Sequence, residues 1–215
     1  AFTAITASCL RPGRNDGGRG NKGDSPAMLL PAYDSDLYDQ GKTEACWVYA
    51  VCACIENEAW RRGDSVKLSR QWLMSNLLKE QAMERYDMQR RDGKEPADGG
   101  RGTLSMRGVG PEAIRLIDRY GLVPWTCERS LIANSRVLQR RLTLLADNAV
   151  RSRLSREDFN DRMQPLLPAF TVSRHQRLAH GSTDGEEQSF YYLSMRYTPR
   201  QFAESVMYYQ QWRWY

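Results

Sequence analysis

The sequence predicts an α+β domain that is mainly helical, and three observations carry that prediction. Apolar residues recur at helical spacing over residues 46–62, 70–85, 111–121 and 129–167. Strand signals are confined to residues 1–8 and 189–197. The chain of 215 residues is 41% hydrophobic with six tryptophans, enough for a real core, and its 27% of charged residues is close to the globular average. That length fits one ordinary domain or two small ones.

The elements follow in chain order. Residues 1–10 alternate weakly and suit one edge strand, and residues 11–27, with Pro12 and the glycines at 13, 17, 18, 20 and 23, read as a flexible arm. A helix is expected from Cys46, with Trp47, Ala50, Val51, Cys54, Ile55 and Ala59 as its apolar stripe. Arg61 and Arg62 suit its last turn and Gly63 its stop. Cys52 and Cys54 then read as small buried packing groups. A second helix is expected from Arg70 to about Arg85, with Ser69 as N-cap, Leu68 stapled against Leu73, and Leu73, Leu77 and Leu78 facing inward. Residues 86–108 read as polar and glycine-rich. Pro111 opens a third helix that Gly121 ends, with Ala113, Ile114, Ile117 and Tyr120 facing the core. Residues 129–167 carry a stripe of Leu131, Val137, Leu138, Leu142, Leu145 and Val150 among many arginines. Thr198 and Gln201 form a capping box with Pro199 at the first helical position, for a helix to about Tyr209. No internal repeat is present.

One stretch suggests a specific chemistry. In Asp39-Gln40-Gly41-Lys42-Thr43-Glu44-Ala45-Cys46-Trp47, a glutamine lies six residues before a cysteine that starts an apolar helix. A thiol attacks a carbonyl as its thiolate, which the positive end of a helix dipole favours. The attack builds an oxyanion, which needs fixed donors. The backbone N–H of Cys46 lies in the first helical turn, where such groups have no intrahelical partner, and the side-chain amide of Gln40, looped back, supplies a second donor.

Gln40 to Ala50 resembles the active-site segment of papain-like cysteine peptidases, and its prefix Asp39 to Thr43 is most similar to the bleomycin hydrolase or aminopeptidase C branch. Further matches keep the family's order: Lys67 to Leu73 resembles its leucine-serine-x-glutamine helix start, Asp98-Gly99-Gly100 its substrate-groove glycines, and Pro111 to Pro124 the segment after them. Tyr197 to Phe202 resembles a later tyrosine-threonine-proline helix start. The resemblance spans residues 34–125 and, weakly, 197–207. It implies a papain-like fold, mainly its helical N-terminal lobe with a helical insertion. Residues 1–27 would be a strand and arm, 28–128 the lobe that carries the nucleophile, and 129–215 an arginine-rich insertion with a C-terminal helix.

The same resemblance implies an activity. Cys46 would form a thioester acyl-enzyme with a peptide substrate, Gln40 would donate to the oxyanion, and Trp47 would shield the site. Gly99 and Gly100 would pair with the substrate backbone. No metal or organic cofactor is implied, and self-assembly around a closed chamber is. The chain departs from the family at Glu44, where a glycine is usual, and at Ala45. A glutamate there adds bulk and a negative charge that opposes thiolate formation.

A papain-like site also needs an imidazole base and an orienting Asn or Asp. The chain has two histidines, His175 and His180, and no asparagine after Asn160. His180 lies 134 residues after Cys46, inside the roughly 130–150 residues expected for small enzymes of this kind. Yet it opens Gly181-Ser182-Thr183-Asp184-Gly185, which reads as an exposed loop. The histidine and asparagine are therefore expected beyond Tyr215, and the dense aromatic end from Tyr208 to Tyr215 reads as a surface that packs against something further. The competing class is a binding or scaffold protein in which Cys46 is a relic.

Composition narrows the alternatives. The net charge of +5 and pI near 9.0 raise a nucleic-acid reading, with Arg136, Arg140 and Arg141 meeting phosphates and Trp125 stacking on bases. Acids at Asp147, Glu157, Asp158 and Asp161 interrupt that charge and no nucleic-acid motif appears, so a solvated helix face is preferred. Gly41-Lys42-Thr43 lacks the upstream glycine of a phosphate loop, since Asp36 holds that place. No Cys-x-x-Cys or His-x-His pattern points to zinc. No apolar run is long enough for a transmembrane helix. The chain opens on Ala1, which leaves a cytoplasmic and a secreted origin both open.

Overall fold

A computed structural model describes residues 38–92, 104–129, 132, 134–170, 173–176 and 186–207. The fold is α+β and mostly helical. Among the described residues six helices run in the order α1 (Cys46–Arg61), α2 (Arg70–Asp92), α3 (Gly110–Tyr120), α4 (Ser135–Arg151), α5 (Arg156–Met163) and α6 (Pro199–Met207). Between α5 and α6 lie β1 (Ser173–Gln176), β2 (Glu186–Tyr192) and β3 (Met195–Tyr197), which form one antiparallel sheet in chain order. Short 3-10 turns stand at Trp125–Cys127 and Gln164–Leu166. No helix among the described residues is long and apolar enough to cross a membrane.

The start of α2 laces the helical layer together. Ser69 Oγ accepts from Trp72 N at 3.1 Å, as an N-cap does, and donates to Glu128 at 2.6 Å. Ser69 N donates to Val123 O at 2.9 Å, and Trp125 N to Lys67 O at 2.8 Å. A chain segment 54–59 residues further on is thereby tied to the entry of α2. Leu68, Leu73 and Leu78 are fully buried behind this seam.

Helix α2 packs most extensively on α4. Leu138, Leu142, Ala146 and Ala149 form the buried stripe of α4, and Arg85 on α2 grips Asp147 at 2.6 Å. Asn134 caps α4 by accepting from Val137 N. Ser155 caps α5 by accepting from Asp158 N at 3.0 Å. The Phe159 ring of α5 stacks on Tyr86 of α2, 4.9 Å between centroids.

The sheet docks through α6. Leu193 and Ser194 take φ of 46° and 65°, the left-handed pair that a two-residue hairpin turn between twisted strands demands. The hairpin presents Phe190, Tyr192 and Tyr197 edge-on to Phe202, at 5.4, 5.1 and 5.8 Å. The capping box of α6 is formed, with Thr198 N donating to Gln201 Oε1 at 3.0 Å and Gln201 N to Thr198 Oγ1 at 3.2 Å. Gly121 ends α3 at φ 69°. A Cβ there would stand 2.1 Å from the carbonyl carbon of Pro199, so α3 and α6 meet backbone to backbone.

Several expectations need correction. Helix α2 continues seven residues past Arg85 to Asp92, because Tyr86 finds a core and Gln89 bonds Asp147. The stretch read as a polar loop therefore begins as helix, and its far end is anchored by buried Leu104 and Met106. Cys54 is exposed, and of the pair only Cys52 is buried, since the inward face of α1 runs through Val48, Cys52, Ile55 and Ala59. On α3 Leu116 is buried, and Ile114 and Tyr120 are only partly covered. Val137 is exposed on α4. Strand β1 was not anticipated. The expected strand at 1–8, the arm at 11–27, Leu131 and the aromatic end at 208–215 lie outside the described residues.

Candidate active site around Cys46

The approach to α1 is a tight turn built by its own side chains. Gly41 N donates to Asp39 Oδ1 at 2.7 Å, and the carbonyl of Gln40 accepts from Thr43 N at 3.3 Å and Thr43 Oγ1 at 2.8 Å. Gly41 sits at φ 58°, a conformation that costs glycine little. Gln40 heads this turn with a partly exposed side chain, and the turn delivers the chain to Ala45, fully buried, whose carbonyl accepts from Val48 N at 2.9 Å.

Cys46 is the first residue of α1, exposed and free. Its own N–H and that of Trp47 stand at the first two positions of the helix, where the intrahelical ladder supplies no acceptor. The sequence thus places an accessible thiol on a ring of backbone donors at the positive end of a helix.

Trp47 faces the other way. It is 6% exposed, and its indole Nε1 donates to the carbonyl of Met106 at 2.7 Å. Gly108, two residues on, lies flat against that indole: a Cβ there would stand 2.6 Å from Cε2. Segment 104–109 is held further by Gln81 of α2, which donates to Ser105 O and accepts from Ser105 N, both at 2.9 Å. The strap is thereby joined to the start of α1 through Trp47, the residue after Cys46.

The strap also answers the charge at Glu44. Arg107 donates to Glu44 at 2.9 Å. That hydrogen bond from Arg107 is the chief reason the Glu44 carboxyl is held below the ordinary glutamate range. The glutamate expected to oppose a thiolate is therefore an ion-paired group that joins the helix entry to the strap.

Beneath α1 lies a buried ion pair. Glu56 and Arg70 are 1% and 4% exposed. Arg70 Nη1 and Nη2 donate to the two oxygens of Glu56 at 2.7 and 2.6 Å, and Leu68 N donates to Oε1 at 2.6 Å. The guanidinium lies over the Tyr38 ring, 3.8 Å from its centroid. Tyr38 immediately precedes Asp39, so the pair anchors the turn that presents Cys46. Burial pushes the Cys52 thiol on the same helix up to about 12 and the Cys127 thiol up to about 11, which disfavours the thiolate form of both.

The remaining sequence-predicted residues are not gathered here. Gly99 and Gly100 lie outside the described residues, as does His180. His175 is on β1, in register with Glu187 of β2. Arg136, Arg140 and Arg141 are exposed on α4, and Trp125 is half exposed. Sequence reasoning missed Gly108 and Arg107. The signal available for them was Gly108 and Gly110 just ahead of the Pro111 helix start. No group of three or more His, Cys, Asp or Glu side chains among the described residues is placed to hold a metal. Neither a known family model nor a curated protein matches the chain.

Proposed function

We propose that this chain carries the nucleophile-bearing lobe of a papain-like cysteine peptidase, of the aminopeptidase C or bleomycin hydrolase type. The observation that carries the reading is an exposed cysteine at the first position of α1, delivered by the Gln40 turn and backed by the pinned indole of Trp47. Cys46 Sγ attacks the peptide carbonyl, the carbonyl π pair moves to oxygen, and the oxyanion is received by the Cys46 N–H and the Gln40 amide. Collapse expels the amine, which takes a proton, and leaves a thioester that water hydrolyses. The proton carrier is an imidazole from outside the described residues. Gly99 and Gly100, outside the described residues, would pair with the substrate backbone as a short strand.

The test is aminopeptidase turnover of fluorogenic aminoacyl substrates by the full-length protein. Cys46→Ala is expected to bring turnover to background, and Gln40→Ala to lower kcat by about 10²–10³ with little change in KM. Turnover that survives Cys46→Ala sinks the proposal.

A second reading has one observation in its favour. The Glu44–Arg107 pair joins the helix entry to the strap where the family has a glycine, which suits a binding protein on the same lobe. In that case Cys46→Ala leaves the protein's interactions unchanged and no substrate turns over.

A further inference from the structure

Helix α4 has two unlike sides. Its inward stripe is Leu138, Leu142, Ala146 and Ala149, and the helix packs on α2 and α5. Its outward side carries Arg136, Arg140, Arg141 and Arg151, all exposed. Val137 and Leu144 stand among them, 46% and 54% exposed. These two apolar side chains are about two turns apart and form one ridge. The helical period sets Arg136 and Arg140 on one flank of that ridge and Arg141 on the other, and Arg151 extends it in the last turn.

The four arginine side chains make no hydrogen bond and no ion pair among the described residues. The two carboxylates that feel their charge are held by other groups. Asp147, which feels Arg151, is bonded to Arg85 and Gln89. Glu44, which feels Arg136, is bonded to Arg107. The other acids that interrupt the charge along the sequence, Glu157, Asp158 and Asp161, belong to α5. The fold itself gains nothing from this pattern. Arg136 and Arg140 are like charges four residues apart on a helix, and they repel. Arg136 also puts a cation, with no acid beside it, in the first turn of α4, at the positive end of the helix dipole. An anionic partner relieves both repulsions.

We propose that this face of α4 docks on an anionic lipid surface. The arginines meet the headgroup phosphates while Val137 and Leu144 enter the boundary with the acyl chains, so that the helix lies in the plane of the interface. The aliphatic ridge between the cations favours a bilayer over a nucleic acid, to whose phosphates only the arginines would contribute. Nothing in this docking involves Cys46, so it stands or falls apart from the peptidase reading.

Co-sedimentation of the full chain with phosphatidylcholine vesicles containing about 30% phosphatidylglycerol tests it, against vesicles of phosphatidylcholine alone. The protein is expected to bind the anionic vesicles at least about tenfold more tightly than the neutral ones, and less as salt is raised. Arg140→Gln with Arg141→Gln is expected to weaken that binding at least about tenfold. Leu144→Gln is expected to weaken it about threefold and to leave its salt dependence unchanged. All three positions are exposed, so the variants are expected to keep the fold, which circular dichroism checks. Equal binding to neutral vesicles, or none to either kind, overturns the proposal. So does unchanged binding in the double variant or in Leu144→Gln. Binding to a short DNA duplex that the double variant abolishes, with no binding to vesicles, assigns the face to nucleic acid and overturns it as well.

Discussion

At the scale of single residues, the Glu56–Arg70 pair decides how firmly Cys46 is presented. Both groups are almost wholly buried, so the energetics are asymmetric. Removing one partner strands a charge in the core, whereas replacing both by apolar groups does not. Arg70→Met is therefore expected to destabilise the fold by about 3–5 kcal/mol, and Glu56→Leu with Arg70→Met together by much less. Urea unfolding of the two variants checks this, and equal losses would contradict it. Gly108 is the other decisive residue. Gly108→Ala drives a methyl into the Trp47 indole, and overpacking of this kind costs about 1–3 kcal/mol. Because Trp47 directly follows Cys46 and holds the strap, we expect that change to lower kcat/KM as well as the unfolding midpoint. A stability loss with unaltered kcat/KM would show that the strap does not shape the site.

At the scale of elements, two junctions hold the helices in register. Where α3 meets α6, Gly121 combines a left-handed φ with backbone contact to Pro199. Gly121→Ala therefore meets strain of about 1–2 kcal/mol plus a clash, and is expected to cost more than the Thr198→Ala cap deletion, at about 1 kcal/mol. Thermal unfolding ranks the two. Where α2 meets α4, burial pushes the Asp147 carboxyl up, but hydrogen bonds from Arg85 and Gln89 and the charge of Arg85 outweigh it, and the group is held below the ordinary aspartate range. The sign follows. A carboxyl with a depressed folded pKa contributes stability that is complete above its unfolded value near 3.9, and that is lost as pH falls through the lower folded value. Asp147→Asn is thus expected to cost on the order of 2 kcal/mol at pH 7, with the gap to wild type closing in strong acid. Urea titrations at neutral and acid pH measure it, and a gap independent of pH would contradict it.

At the scale of the whole molecule, the elements that were legible in the sequence are those fixed by local chemistry. Cys46–Arg61, Gly110–Tyr120 and the Thr198–Gln201 box announce themselves by caps, glycine stops and Pro at the helix start. What was hidden depends on partners distant in sequence. Helix α2 runs past Arg85 because Asp147 and Phe159 wait for Arg85, Gln89 and Tyr86 on other helices. Cys52 rather than Cys54 is buried because α3 and α6 also pack on α1. The same holds at the site. The Gln40–Cys46–Trp47 run is local and visible, while the Arg107 link to Glu44 and the Gly108 contact with Trp47 join segments about sixty residues apart and follow no spacing rule.

The central claim is that Cys46 is a nucleophile and Cys54, also exposed and on the same helix, is not. The most direct measurement treats the full-length protein with a peptidyl epoxysuccinate at neutral pH and maps the adduct by peptide mass spectrometry, with Cys46→Ala as control. The account predicts one adduct, on Cys46, formed far faster than any on Cys54 and absent from Cys46→Ala. Equal modification of Cys46 and Cys54, or none at either, would contradict it.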